Sequence, residues 1–306
     1  MKKLNFIFVM MFAIFTSFAQ DVQKETLIVD YFDSSARFNN YSYMPAAIRN
    51  GILEGLQTVN RFFVVDAMTE ASLQELNANR VVEDEVNVSN VMDENSSAVY
   101  KSLGAKYILK GKLTDFAEVV QENPISLATE YKITIQYNLT AYNIENGSTI
   151  GSKGFNAIGL STQSMQESVV DAGKKVQNDI IHFIETNFKI KSTIETIESV
   201  DKKNAAKEVY IVGGIELGIN KGDKFLVKVE QQIGSRVTRK DIGEVEAVEV
   251  LEGVTLCKVT KGGAEISEAH NSGKVVTLES IPGKSGEAGQ KVGSFMKNTA
   301  KGFFGF

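Results

Sequence analysis

Thr26-Leu27-Ile28-Val29-Asp30-Tyr31-Phe32 is apolar except at its first and fifth residues, and Asp33-Ser34-Ser35 follows at once. Such a run reads as a buried strand with a polar exit. Outward from it, Pro45 opens a helix in which Ile48, Ile52, Leu56 and Val59 share one face, with Leu53 beside them. Phe62-Phe63-Val64-Val65-Asp66 is a second strand. Thr69 is placed to cap a short helix that turns Leu73 and Leu76 inward. Residues 80–95 are polar and acidic, a surface loop or a frayed helix. Ser96 to Leu103 predicts a short helix ending at Gly104, and Tyr107 to Leu113 a third strand.

A loop around Pro124 separates that strand from Glu130 to Tyr142, where Tyr131, Ile133, Ile135, Tyr137, Leu139 and Ala141 alternate onto one face. Asn146-Gly147 is a hairpin turn, with the returning strand from Thr149 to Leu160. Ser161 or Thr162 then caps a long helix to Phe188, striped by Val169, Ala172, Val176, Ile180 and Phe183. Residues 24–192 thus predict an α/β (α+β) domain, helices packed on one mixed sheet.

Helical periodicity stops after Lys191. Short strands with Gly-rich turns follow at Glu208 to Val212, Lys224 to Val229, Gly243 to Leu251, Thr255 to Thr260 and Lys274 to Leu278. They predict a small all-β, barrel-like domain over residues 205–281, after a boundary between Thr193 and Ala206. Residues 282–306 form a tail, flexible or amphipathic, with Phe295, Phe303 and Phe304 on one helical face and Lys291, Lys297 and Lys301 off it.

The first residues differ from the rest. Lys2 and Lys3 precede an apolar run from Leu4 to Phe18, with Ser17 and Ala19 placed for cleavage. Residues 1–19 predict a secretory signal peptide, with an uncleaved anchor as the alternative. No Cys follows the cleavage site, so export to the periplasm without a lipid is expected. Without Lys2 and Lys3, 31 basic residues stand against 38 acidic ones, a net charge of −7. That speaks against nucleic acid and against simple docking on anionic lipid.

Residues that could carry chemistry are sparse. Cys257, the only cysteine, lies in a strand-like segment and reads as a small buried hydrophobe. His182 lies within a helix and His270 in a turn, and neither has zinc-motif spacing. Gly213 to Asp223 lacks the Gly-Lys-Ser/Thr ending of a phosphate loop and reads as turn chemistry before a strand. Glu83-Asp84-Glu85 and Asp93-Glu94 lack the alternating ligands of an EF-hand. Asp30, Asp33 and Asp66 lie near strand ends, as caps or as an acid–base set. No catalytic set, cofactor or metal site is expected.

Several segments resemble one family in order. Leu27 to Phe32 is similar to the first strand of CsgG-type curli-assembly transporters, of TolB N-terminal domains and of LpoB-type activators of penicillin-binding proteins. Arg61 to Asp66 resembles their second strand. Gly104-Ala105-Lys106-Tyr107-Ile108-Leu109-Lys110-Gly111 resembles a third, and Tyr142 to Ile150 their hairpin. Gly218 to Phe225 resembles the C-terminal β-domain of the flagellar protein FlgT. The resemblance implies a non-enzymatic periplasmic scaffold that binds envelope proteins or its own copies. Its alternatives are an outer-membrane secretion channel component and an activator of peptidoglycan synthesis. The hairpin around Asn146-Gly147 carries Glu130, Lys132, Lys153 and Asn156, which suits a lipid-facing band poorly. Tyr107, Leu109 and Phe116, with Phe295, Phe303 and Phe304 of the tail, are the expected partner-binding residues, and the tail is the expected point of peripheral membrane contact.

Overall fold

A computed structural model describes residues 24–34, 36–41, 43–76, 94–125 and 127–283. The expected signal peptide, both acidic clusters save Glu94, and the tail with Phe295, Phe303 and Phe304 lie outside the described residues.

The first half is one five-stranded sheet in the order β2-β1-β3-β4-β5. Its strands are β1 (Glu25–Ser34), β2 (Phe62–Asp66), β3 (Ala105–Glu122), β4 (Thr129–Asn143) and β5 (Thr149–Ser161). β1 is parallel to both β2 and β3, and β3, β4 and β5 run antiparallel, so the sheet is mixed. Helices α1 (Tyr43–Val59) and α3 (Met165–Asn187) cover one face. Ile48, Ile52 and Leu56 of α1 and Val176, Ile180 and Phe183 of α3 are fully buried against Leu27, Val29, Leu109 and Leu139 of the strands. Helix α2 (Glu94–Ser102) covers part of the other face, where Tyr100 packs with Ile28, Leu73 and Ile108.

The two helices over the sheet touch backbone to backbone. A Cβ added to Gly51 would fall on the carbonyl oxygen of Gly173, and one on Gly173 would lie 2.6 Å from the Ala47 oxygen. Gly55 abuts Ile180 and the Gln177 oxygen 2.9 Å away, while Gly159 of β5 lies against the Ser168 carbonyl. The cap of α3 is Ser164, whose Oγ accepts from Glu167 N at 3.2 Å, rather than Ser161 or Thr162. Ser161 Oγ instead accepts from Gln163 N, forming the turn before the cap.

The second half is a closed six-stranded antiparallel barrel in the order β10-β7-β6-β11-β8-β9. Its strands are β6 (Lys191–Val200), β7 (Ala206–Val212), β8 (Lys224–Ile233), β9 (Arg236–Val250), β10 (Val254–Lys261) and β11 (Val276–Ile281). The Lys-, Glu- and Ser-rich stretch after Lys191 is therefore a barrel strand. Its Ser192 and Ile194 turn inward while Lys191, Thr193 and Glu195 face water. A short helix α4 (Gly263–Asn271) packs Ile266 and Ala269 into the barrel core, and His270 lies in its last turn rather than in a loop.

Gly51→Ala gives a signed prediction. Alanine in a helix is favoured over glycine by about 1 kcal/mol, but here its methyl group meets a backbone oxygen that has nowhere to go. Net destabilisation of about 1–2 kcal/mol is expected in urea unfolding. A gain in stability would mean that the helices do not touch there.

Candidate interaction surface

Several titratable groups inside the fold are held by structural partners, whereas the buried Nδ1 of His182 has no hydrogen-bond partner among the described residues. Arg49 of α1 is 4% exposed; it donates to Val29 O at 3.0 Å and pairs with Asp66 at the end of β2. Burial pushes the Asp66 carboxyl up, but the hydrogen bonds from Arg49 and from Met68 N, with the Arg49 charge, more than reverse this and hold it below its usual value. Asp30, buried in β1, accepts from Tyr100 Oη at 3.2 Å and faces Lys110 Nζ at 3.5 Å. Asp33 lies in an exposed strand end, so these three aspartates are not brought together as an acid–base set. Burial pushes the Asp179 carboxyl up, while Tyr137 donates to it at 2.9 Å. Cys257 is buried in the barrel core, and burial followed by the nearby Asp223 pushes its thiol up to about 12. Such a thiol stays protonated and unreactive near neutral pH. Among the described residues no group of three His, Cys, Asp or Glu is arranged to hold a metal ion.

The sheet and the barrel meet around Phe188, at the end of α3. Its ring stacks edge-on against Phe62 at 5.1 Å and Tyr107 at 5.0 Å, and its carbonyl accepts from Arg61 Nη1 at 3.0 Å. Ile190 N donates to Ser280 Oγ and Ser280 N to Ile190 O, both at 2.9 Å, fixing the chain as it enters the barrel. A pocket of 230 Å³ beside Arg61 is lined by Thr58, Ile181, Glu185 and Asn220. A groove of 340 Å³ runs along β2, where Phe63 is 66% exposed.

Of the expected partner-binding residues, Leu109 is fully buried under α1 and α3 and offers no surface. Phe116 is 7% exposed, packed against Phe38 at 5.1 Å and Tyr41 at 4.8 Å. Tyr107 belongs to the Phe188 cluster between the two halves, and burial, followed by Glu25, pushes its hydroxyl up to about 12. Leu109 is buried because β3 is central there, Phe116 because Phe38 and Tyr41 cover it, and Tyr107 is half-buried.

The exposed apolar surface begins just beyond Phe116. Pairing of β3 with β1 ends at Leu113, whereas pairing with β4 continues to Glu122. Among the described residues, the last third of β3, Ala117 to Glu122, therefore has β4 on one side and no strand on the other. Val119 is 44% exposed and Val120 59%, and in the connecting loop Ile125 reaches 92% and Leu127 73%. Ile158 and Leu160 of β5 lie on the face that carries Val119, with Thr134 and Lys132 of β4 between them and β3.

The opposite edge of the sheet is closed. Along β5, Asp171 accepts from Leu160 N at 2.9 Å and Lys175 donates to Ile158 O at 2.9 Å. These two α3 side chains also pair with each other at 2.7 Å. They occupy the backbone groups that an incoming strand would need. The sequence signal for the open arm was weak. Ala117-Glu118-Val119-Val120-Gln121-Glu122 mixes charge and apolar residues on both faces, so its alternation does not announce a strand.

Together these features define a class: a helix-covered mixed sheet joined to a closed barrel, with a projecting hairpin arm. No family model matches the chain, and no curated protein matches it. Among solved structures it is similar to the hypothetical protein CT253 from Chlamydia trachomatis, at 11% identity and a TM-score of 0.36 over 54% of this chain and 97% of that one. It is also similar to the lipoprotein GNA1162 from Neisseria meningitidis, at 13% identity and a TM-score of 0.33 over 51% and 97%. The LpoB C-terminal domain from Escherichia coli matches at 15% identity and a TM-score of 0.28 over 48% and 91%. The curli-transporter, TolB and FlgT parts of the resemblance rest on the sequence motifs alone. Among the described residues no helix is long and apolar enough to cross a membrane.

The Arg49–Asp66 pair yields the second prediction. Asp66→Ala leaves a buried guanidinium without its counter-charge and should cost about 3 kcal/mol. Asp66 has a depressed folded pKa, so its contribution is present above the unfolded value of about 3.9 and fades as pH falls through the folded one. Urea titrations from pH 7 to pH 2 should show a smaller acid-induced loss in the variant than in the parent. Parallel losses would remove Asp66 as a source of acid sensitivity.

Proposed function

We propose that the chain is a non-enzymatic protein of the cell envelope, carried to the periplasm by its leader, that works by binding other envelope proteins or further copies of itself. One observation carries this reading: the β3–β4 arm, which places two large apolar side chains at its tip and leaves a strand edge unpaired. A fold does not by itself specify such an arm, and contiguous exposed apolar surface beside an open strand edge is a binding feature. Glu118, Val120 and Glu122 share one of its faces and Val119 and Gln121 the other, so neither face is an uninterrupted apolar band. The barrel supplies a second contact surface at the far end of the chain.

The test uses a photo-crosslinking residue placed at Ile125, at Leu127, or at Lys202 in the exposed β6–β7 turn, in whole cells. Discrete adducts are expected from the two arm positions and none from Lys202. Ile125→Asp combined with Leu127→Asp should abolish an adduct formed from Val120, while changing stability by no more than about 0.5 kcal/mol. Diffuse, equal labelling at all three positions would sink the reading.

A further inference from the structure

β2 is the last strand of the first sheet, and among the described residues β1 is its only neighbour. Ala67 N, just past the end of β2, donates to Val29 O at 3.1 Å. Backbone direction alternates along a strand, so Val65 and Phe63 also turn their N–H and C=O groups to β1. Phe62 and Val64 turn theirs outward, and among the described residues nothing is hydrogen-bonded to those outward groups. The groove along β2 follows this edge, with Leu56 and Asn60 of the α1 end on its other wall. Phe62 and Val64 point to the α1 side of the sheet, and Phe63, on the opposite side, is 66% exposed. Lys24 is the one charged residue of the lining, and its Nζ already donates to Asn60 Oδ1 at 2.7 Å. Unpaired backbone groups beside exposed, uncharged apolar surface suit an added strand of the same character.

The chain itself brings such a segment to this place. Gly283, the last described residue, donates its N–H to Glu185 Oε2 at 2.8 Å. Glu185 lines the pocket beside Arg61. That pocket and the groove share the turn from α1 into β2: Thr58, Val59 and Arg61 line the pocket, and Gln57, Asn60 and Phe62 line the groove. Residues 284–306 therefore start beside the open edge. Lys301 is the last charged residue among them, and Gly302-Phe303-Phe304-Gly305-Phe306 follows, uncharged and rich in phenylalanine. A Gly-rich coil of the length of residues 284–301 spans roughly 20–25 Å, so two cavities adjoining on one turn lie within its reach.

We propose that Gly302 to Phe306 adds as a strand to the open edge of β2 in its own chain, bonding to the outward backbone groups of Phe62 and Val64. Residues across from each other in a sheet share a face in either strand direction. With Phe304 and Phe306 on the α1 side beside Phe62 and Val64, Phe303 falls on the side of the exposed Phe63 ring. Phe303 and Phe304, which the sequence marks as partner-binding, thus find their partner within the chain. The tether raises the local concentration of the segment at the groove, which favours its own chain over a second copy. A strand edge left open in water invites unwanted pairing, and the added segment closes it. The inference goes beyond the binding reading above and does not depend on the β3–β4 arm.

The experiment is hydrogen exchange resolved to single amides, on the chain from Gln20 to Phe306 and on the same chain with Phe303→Ser, Phe304→Ser and Phe306→Ser together. The Phe62 and Val64 amides should exchange about tenfold faster in the variant, while those of Phe63 and Val65, bonded to β1, keep their rates. A synthetic peptide of residues 298–306, added to the variant at about 1 mM, the effective concentration of a short tether, should slow Phe62 and Val64 again. In the parent their slowing should be the same at every protein concentration. Equal rates for Phe62 and Val64 in parent and variant, or a change shared by all four amides, overturns the proposal. Slowing that fades on dilution, with a dimer mass in sedimentation, overturns it in favour of a second copy. None of these outcomes touches the crosslinking test of the β3–β4 arm, so the two readings fail separately.

Discussion

The backbone contact between α1 and α3 is the constraint on which the rest of the structure depends. Gly51 and Gly55 on one helix and Gly173 on the other let the two axes approach until a carbonyl of each lies where a side chain would be. That approach lets Ile48, Ile52 and Leu56 reach the sheet beside Val176, Ile180 and Phe183 instead of being stacked above them. With larger residues at the crossing, one helix would lift and the strand face beneath it would be wetted. At about 25 cal/mol per Å² of apolar surface, uncovering even one large side chain outweighs the helix propensity lost by using glycine.

Position is passed on from this contact. Gly159 seats the start of α3 against β5, and the crossing with α1 fixes its middle, so its far end arrives at Phe188 in a defined place. There Phe62 and Tyr107, from strands on the same sheet, close on the Phe188 ring, and Arg61 takes its carbonyl. The next residues enter β6 with Ile190 and Ser280 already bonded to each other. A chain of short contacts therefore sets where the barrel begins relative to the sheet, with Phe188 as its link.

Much of the architecture was legible because burial writes a period into the sequence. β4 alternates cleanly because its inner residues sit under α3 and its outer ones in water. The stripe of α3 and the turns at Gly104 and Gly147, both at positive φ, were equally plain. β6 was not, because only one of its faces is buried, and by only two small or medium side chains at its start. The glycines of the helix crossing were missed for a related reason: a close approach between residues 51 and 173 leaves no local pattern. The projecting strand ends were missed because strand length was inferred from burial. Beyond Phe116 and Val229 the strands continue through pairing with their hairpin partners, with no core to mark their residues. Leu109 and Phe116 misled in the opposite sense, since an aromatic or aliphatic residue next to an exposed arm looks the same in sequence whether it serves the core or a partner.

The outer side of β5 and the overhanging end of β3 are treated differently, and the contrast bears on what the arm is for. An unpaired strand in water invites unwanted pairing, and proteins usually block it. At β5 the block is specific: Asp171 and Lys175 fill one donor and one acceptor slot with side chains of the helix that the crossing has placed there. No described side chain is bonded in that way to the backbone of Ala117 to Glu122. Among the described residues its guard is charge, from Glu118 and Glu122. Charge differs from a plug in being selective. It repels an identical acidic edge, so two β3 arms do not pair with each other, yet it leaves the backbone free for a strand that brings opposite charge. An edge guarded in this way excludes most partners and admits one kind, which is the behaviour a binding arm requires and a purely protective device does not.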